Sequence, residues 1–177
     1  MAIFGSARDM SLFRSVNKEM LRKYIDTEVL FYKLNLDATS TNIYDESDKK
    51  VYTAPKLIYS IVTLEEQVWG GDDYGMELTQ NATFGFLRDD LIENDLLPQI
   101  GDVLEYKSGF YEIDSFKENQ FVAGKDPDSW FGGNSHGYNV SIICDAHLTR
   151  QSKLNIVQTR FGNSVASNKN TILPNNI

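Results

Sequence analysis

The chain of 177 residues contains one cysteine, two histidines and four prolines. With Cys144 alone, no disulfide can close within the chain, and a reducing compartment is expected. No stretch approaches the ~18 consecutive apolar residues of a membrane-spanning helix. The opening MAIFGSARDM lacks the apolar run of a signal peptide, so a soluble, unprocessed product is expected. A basic excess is missing too: 17 Lys and Arg stand against 25 Asp and Glu, for a net charge of -8. Ordinary DNA binding needs cations to displace counterions, and this balance argues against it.

Acidic residues are themselves absent from one region. Ala146 to Ile177 holds Arg150, Lys153, Arg160 and Lys169 with no Asp or Glu, which leaves a net charge of -12 on residues 1–145. An acidic body therefore carries a basic tail, suited to an acidic protein surface or, more weakly with only four charges, to nucleic acid. Arg150, Lys153, Arg160, Phe161 and Lys169 are the candidate interaction residues.

The motifs of common catalysts are also missing: there is no GxSxG, P-loop, GxGxxG or HExxH. His147 stands two residues after Asp145, so both side chains can share a strand face, and Asp126 or Asp128 with His136 could complete a metal site. The placement of His136 in a glycine-rich loop weighs against it. Cys144 falls on an apolar strand face with no cation adjacent, as an inert buried thiol would. Asp72 and Asp73 are neighbours and would point apart on an extended chain, so GGDDYG reads as a turn. No catalytic residue, cofactor or metal is assigned.

What the sequence does have is alternation. EVLFYKLNLD places Leu30, Tyr32, Leu34 and Leu36 on one face, with Lys33, Asn35 and Asp37 opposite. KLIYSIVTLEEQ is apolar on both faces over Leu57 to Leu64 and reads as a strand covered on both sides. MELTQNATFGFL alternates, with Met76, Leu78, Ala82, Phe84 and Phe86 on one face and Glu77, Thr79, Asn81 and Thr83 opposite. YNVSIICDAHLT does so most strongly, broken only by Ile143. Asp102 to Lys107 and Phe110 to Phe116 make a hairpin about Ser108-Gly109, and Phe121 to Ala123 begins a third strand. Helices are expected in SVNKEMLRKYIDTE, where Val16, Met20 and Tyr24 recur every fourth residue, and in RDDLIENDLL, ended by Pro98. The polar stretch from residue 38 to residue 55 reads as a long loop or hairpin. Tyr106, Phe110, Tyr111 and Phe116 could stack on single-stranded nucleic acid, but Glu105, Glu112, Asp114 and Glu118 surround them, which favours a core role. The fold expected is mainly β: a small β-barrel of the SH3 or OB type, with one or two short helices and extended N- and C-terminal arms. Residues 1–14 and 150–177 are the arms and 15–149 the barrel.

The stretch LPQIGDVLEYKSGFYEIDSFKENQFVAG resembles the barrel of head-closure and neck proteins of tailed bacteriophages, most of all the neck proteins of contractile-tailed, T-even-like phages. Its marks are Gly101-Asp102 leading a strand, a short turn at Ser108-Gly109, and Phe110-Tyr111-Glu112-Ile113. ATFGFLRDDL, NKEMLRKYIDTEVLFYKLN and HLTRQSKLNIVQTR fit the same layout, so the resemblance covers roughly residues 15–160. It implies a structural virion protein of the neck, assembled in the host cytoplasm. Such a protein forms a homo-oligomeric ring, commonly six-fold, between a portal or adaptor-side protein and a tail-terminator-side protein. Genomic DNA would pass through or be retained in its channel without sequence-specific binding, and no membrane is implied. A tail terminator or tail-completion protein is the alternative, followed by a single-strand nucleic-acid binder.

Overall fold

A computed structural model describes residues 7–39, 50–72, 75–118 and 140–151, together with Leu154 and Ile156. In chain order the elements are α1 (Ala7–Met20), a π-helical turn (Leu21–Ile25), β1 (Glu28–Tyr32), β2 (Lys56–Tyr59) and β3 (Ile61–Leu64). They continue with β4 (Val68–Asp72), β5 (Gly75–Thr79), β6 (Asn81–Leu87), α2 (Arg88–Glu93), β7 (Val103–Tyr106), β8 (Gly109–Glu118) and β9 (Ser141–Thr149). The protein is mainly β, as expected.

Seven strands form one antiparallel sheet in the order β2-β1-β7-β8-β9-β6-β3. Its two edge strands, β2 and β3, are consecutive in the chain and separated only by Ser60. The sheet must therefore roll until its edges meet at that residue. Ser60 is fully buried; its N–H donates to Thr27 O (3.0 Å) and its hydroxyl donates to Gly85 O (3.1 Å), so it bonds to both sides of the seam. The expected single strand over Leu57 to Leu64 is thus two, because a continuous segment serves one neighbour with each half. Nor is it covered on both sides: Ile61 is 53% exposed.

Side chains of period two fill the inside of this roll. Val29, Phe31, Ile58, Ala82, Phe84, Phe86, Leu104, Tyr111, Ile113, Ile142, Cys144 and Ala146 form the main core, and Leu91 and Leu96 pack with them. Aromatic rings meet edge-on at its centre, with Phe84 and Tyr111 centroids 5.5 Å apart and Phe31 and Phe86 6.2 Å apart. The expected inward set on β1 is corrected here. Val29 and Phe31 enter the core, whereas Leu30 and Tyr32 point outward into a second cluster with Val103, Phe110, Tyr52, Leu154 and Ile156. Both faces of β1 are covered, so alternation alone could not orient it. Leu36 is 67% exposed and belongs to neither cluster.

The GD of the hairpin is a structural clamp. Gly101 adopts φ +90°, and a Cβ there would sit 3.4 Å from Leu34 Cδ2. Asp102 is fully buried and accepts hydrogen bonds from Leu34 N (2.9 Å), Gln99 N (2.7 Å) and Lys33 Nζ (2.9 Å). It fixes the end of β1 to the approach to β7. The turn itself lies one residue earlier than expected. Lys107 and Ser108 form it, Lys107 taking φ 55°, and Tyr106 pairs with Gly109. Gly109 is needed for space, since a Cβ would lie 3.0 Å from the Tyr111 ring and 3.2 Å from Leu148 Cδ1.

Three further boundaries move. The first helix begins at Ala7, within the stretch expected as an arm. The second ends at Glu93, ahead of Pro98, where Asp95 at φ 52° takes the left-handed conformation that stops it. Gly70, Gly71 and Asp72 belong to β4 rather than to a turn. Residues 40–49 of the expected polar loop lie outside the described residues, as do Phe121 to Ala123. On the near side of that loop, Asn35 N bonds Val51 O and Thr53 N bonds Lys33 O, so residues 51–53 lie along the end of β1.

Candidate interaction surface

The N-terminal helix carries its polar and apolar residues to different neighbours. Arg14, Lys18 and Arg22 recur every fourth residue and so share one face. That face meets the acidic turn of α2: Arg14 lies 3.8 Å from Asp89, Lys18 3.1 Å from Asp90 and 2.5 Å from Glu93, and Arg22 2.8 Å from Asp90. Asp90 is buried, so both cations compensate a charge with little access to water. Burial lowers the Lys18 pKa, but hydrogen bonds from its ammonium to Glu93 and Asp90 outweigh it and leave the pKa above the usual lysine value. The same Lys18 bond is the main reason that the Glu93 pKa falls below the ordinary carboxylate value.

Beside this anchor the helix stands over the outer surface of β3, β6 and β9. An apolar groove of about 630 Å³ runs between them, walled by Phe13, Met20 and Ile25 on the helical side and by Ile61, Gly85 and Ile143 on the sheet. Phe13, Met20 and Ile61 are each close to half exposed, and Leu12 and Val16 extend the apolar surface along α1. A contiguous apolar area of this kind marks a protein contact more often than a random surface does. Ile143, the residue that broke the alternation of β9, is one of its walls.

A second apolar surface lies elsewhere. The β4–β5 hairpin continues the β3–β6 pair beyond a break at Glu65 to Gln67, and it forms its own two-stranded sheet. Gln80 holds the break, its side chain donating to Glu65 O (2.9 Å) and accepting from the Tyr111 hydroxyl (3.1 Å). On the hairpin Trp69 is 64% exposed and Val68 nearly as much.

Of the candidate interaction residues, Arg150 is exposed and borders a shallow depression with Trp69, Leu148 and Gly109. Lys153, Arg160, Phe161 and Lys169 lie outside the described residues. Leu154, expected in the free arm, is buried in the second cluster and bridges to Lys50. His147 and Asp145 share the outward face of β9 but take different partners. The His147 Nδ1 lies 2.8 Å from Asp114, the residue extruded by a bulge in β8, while Asp145 accepts from Thr83, Ser115 and Lys117. The Lys117 hydrogen bond is the main cause holding the Asp145 pKa below its usual value. His136 is outside the described residues, and among those described no three His, Cys, Asp or Glu are grouped to hold a metal. Cys144 is fully buried, and burial pushes its thiol up to about 12, as an inert core residue requires. Phe110 and Tyr111 are buried and Tyr106 packs against the core, whereas Phe116 is 43% exposed. Among the described residues, no helix is long and apolar enough to cross a membrane.

No protein-family model matches the chain, and a search of curated proteins gives no match.

The groove was missed in the sequence because the helix was begun too late. The four-residue spacing of Val16, Met20 and Tyr24 extends back to Leu12 and Phe13, and reading it back to there would have exposed an apolar face too wide for one small helix to hide.

Proposed function

We propose that this chain is a non-catalytic building block of a bacteriophage neck, a subunit of a homo-oligomeric ring between the portal side of the head and the tail. The observation that carries the reading is the pair of apolar surfaces, at α1 and on β4–β5, displayed by a barrel whose interior is already filled. A monomer gains nothing from such surfaces, whereas a subunit buries them against neighbours. The resemblance of the Gly101 to Ile113 hairpin to neck proteins of contractile-tailed phages supplies the setting. Asp102 and the Lys107-Ser108 turn make that hairpin a rigid block, as a load-transmitting ring needs. The net charge of -12 on residues 1–145 suits a DNA channel, since like charge keeps phosphates from adhering. A tail terminator or tail-completion protein would use the same barrel in an adjacent ring. Single-strand binding is disfavoured because Phe110 and Tyr111 are committed to the interior.

Native mass spectrometry of the full chain tests the subunit reading, and protein composition of purified phage particles tests the setting. Closed oligomers and presence in the particle are expected. A strictly monomeric protein absent from particles would overturn both.

A further inference from the structure

We propose that copies of this chain join by exchanging α1: the π-helical turn Leu21–Ile25 straightens into a continuation of β1, and the helix it carries docks on α2 and the groove of the next copy. This rests on the reading of the chain as a ring subunit, and it names what joins the copies. The starting point is an open sheet edge. Ser60 N–H donates to Thr27 O and Glu65 N–H donates to Asn81 O. Along residues 56–65, even positions therefore turn their backbone groups toward the β1 side and odd positions toward the β6 side. Val62 and Leu64 face the β1 side, where among the described residues no strand lies beside them. β3, Ile61–Leu64, has no charge, proline or bulge to guard that edge.

The neighbour that fits this edge is the chain just upstream of β1. In the register that sets Glu28 against Tyr59, a straight continuation puts Ile25 opposite Val62 and Lys23 opposite Leu64. Both would turn their backbone groups toward β3, and Ile25 would join Val29 and Phe31 on the inward face. Instead the chain leaves the sheet at Asp26, which holds φ 46° and donates its N–H to Leu21 O across the π-helical turn. The left-handed conformation costs a non-glycine residue energy, and a π turn is a rare form. The two stand together where α1 would hinge. Beyond the hinge, the attachment is the same in either arrangement. Arg14, Lys18 and Arg22 meet Asp89, Asp90 and Glu93, and Phe13 and Met20 wall the groove; α2 and the groove of a second copy offer identical partners. Those contacts cancel between the closed and exchanged forms, so the hinge decides. Exchange relieves Asp26 and pairs Val62 and Leu64, while dilution favours the closed monomer. A helix passed from each copy to the next is a contact between two different surfaces, and it gives a ring where the rotation closes.

A full-length Asn17→Cys/Ile143→Cys protein tests the exchange, because both positions line the groove, one on α1 and one on β9, and the native thiol of Cys144 is buried. Assembled protein treated with a bismaleimide should give covalent multimers on a denaturing gel, and the diluted protein should give monomers cross-linked within one chain. Hydrogen exchange of the parent should show the Val62 and Leu64 amides open in the monomer and protected in the assembly. Asp26→Gly, at ease in the left-handed region, should weaken self-association about fivefold. Tyr24→Pro breaks the turn, and the N–H it removes would face away from β3 in the straightened chain, so self-association should strengthen. An assembly in which the double variant cross-links only within single chains, or in which both amides stay open, would overturn the exchange and leave the ring subunit standing. A parent that never self-associates would overturn both.

Discussion

Replacing Asp102 by alanine removes one carboxylate and strands three donors. Leu34 N–H, Gln99 N–H and the Lys33 ammonium all bond to it within 2.9 Å, in a site where Asp102 has no solvent exposure. Hydrogen bonds to a charged group each contribute about 1.5–3 kcal/mol net, which bounds the loss below about 9 kcal/mol. The three share one acceptor group and are not additive, and Lys33 keeps partial access to water along with its bond to Leu97 O. A loss of about 3–5 kcal/mol is expected for Asp102→Ala, as for other broken buried charge pairs. That is a large fraction of the roughly 5–15 kcal/mol by which a domain is stable. Asp102→Asn keeps one acceptor oxygen and should lose about half as much. Urea unfolding followed by far-UV circular dichroism measures both. An Asp102→Ala protein within about 1 kcal/mol of the parent would refute the clamp, because an unpartnered buried N–H alone costs that much.

Gly109→Ala should destabilise by about 1–3 kcal/mol, since the new methyl meets the Tyr111 ring at 3.0 Å and that ring is held through its hydroxyl by Gln80; a neutral effect in the same unfolding assay would show that the ring can yield. Ending the chain after Thr149 removes Leu154 from the second cluster and should cost about 2–4 kcal/mol, whereas ending it after Ile156 should cost little; equal stability of the two truncations would deny Leu154 its place. Acid should weaken the α1–α2 contact through Glu93 and the β8–β9 pairing through Asp145. The folded pKa values of Glu93 and Asp145 are depressed, chiefly by hydrogen bonds from Lys18 and Lys117, so their contribution is present above the unfolded pKa and is lost as pH falls through the lowered folded values. Glu93 is exposed and Asp145 partly so, so the decline is small and shrinks with salt. Thermal melts should fall as pH drops below about 4.5, the ordinary glutamate value, and a melting point that rises there would contradict the sign.

The strands that could be read from the sequence have one face inside and one face wet. β6 and β9 met that condition, so Phe84, Phe86, Ile142, Cys144 and Ala146 were placed in the core by alternation alone. The β7–β8 hairpin was legible from its turn residues, with a slip of one position, because Gly109 is fixed by crowding against Tyr111 rather than by backbone conformation. β1 was oriented wrongly because a second cluster covers its outer face, which erases the contrast that alternation depends on. The break at Ser60 left no local trace, since both halves remain extended and only the identity of their neighbours changes. The early start of α1 was legible locally, since Leu12 and Phe13 continue the spacing of Val16 and Met20, whereas its docking through Arg14, Lys18 and Arg22 on Asp89, Asp90 and Glu93, more than sixty residues away, was not. The interaction surface was hidden because it exists only where distant elements meet. Its walls come from α1, β3, β6 and β9, while the tail residues singled out by charge fall mostly outside the described residues.

A side-chain-resolution reconstruction of the intact phage particle tests the central claim most directly. The expected result is a ring of this barrel between portal and tail, with the apolar surface beside α1 buried against a neighbouring subunit. Particles whose neck contains no such barrel would contradict it.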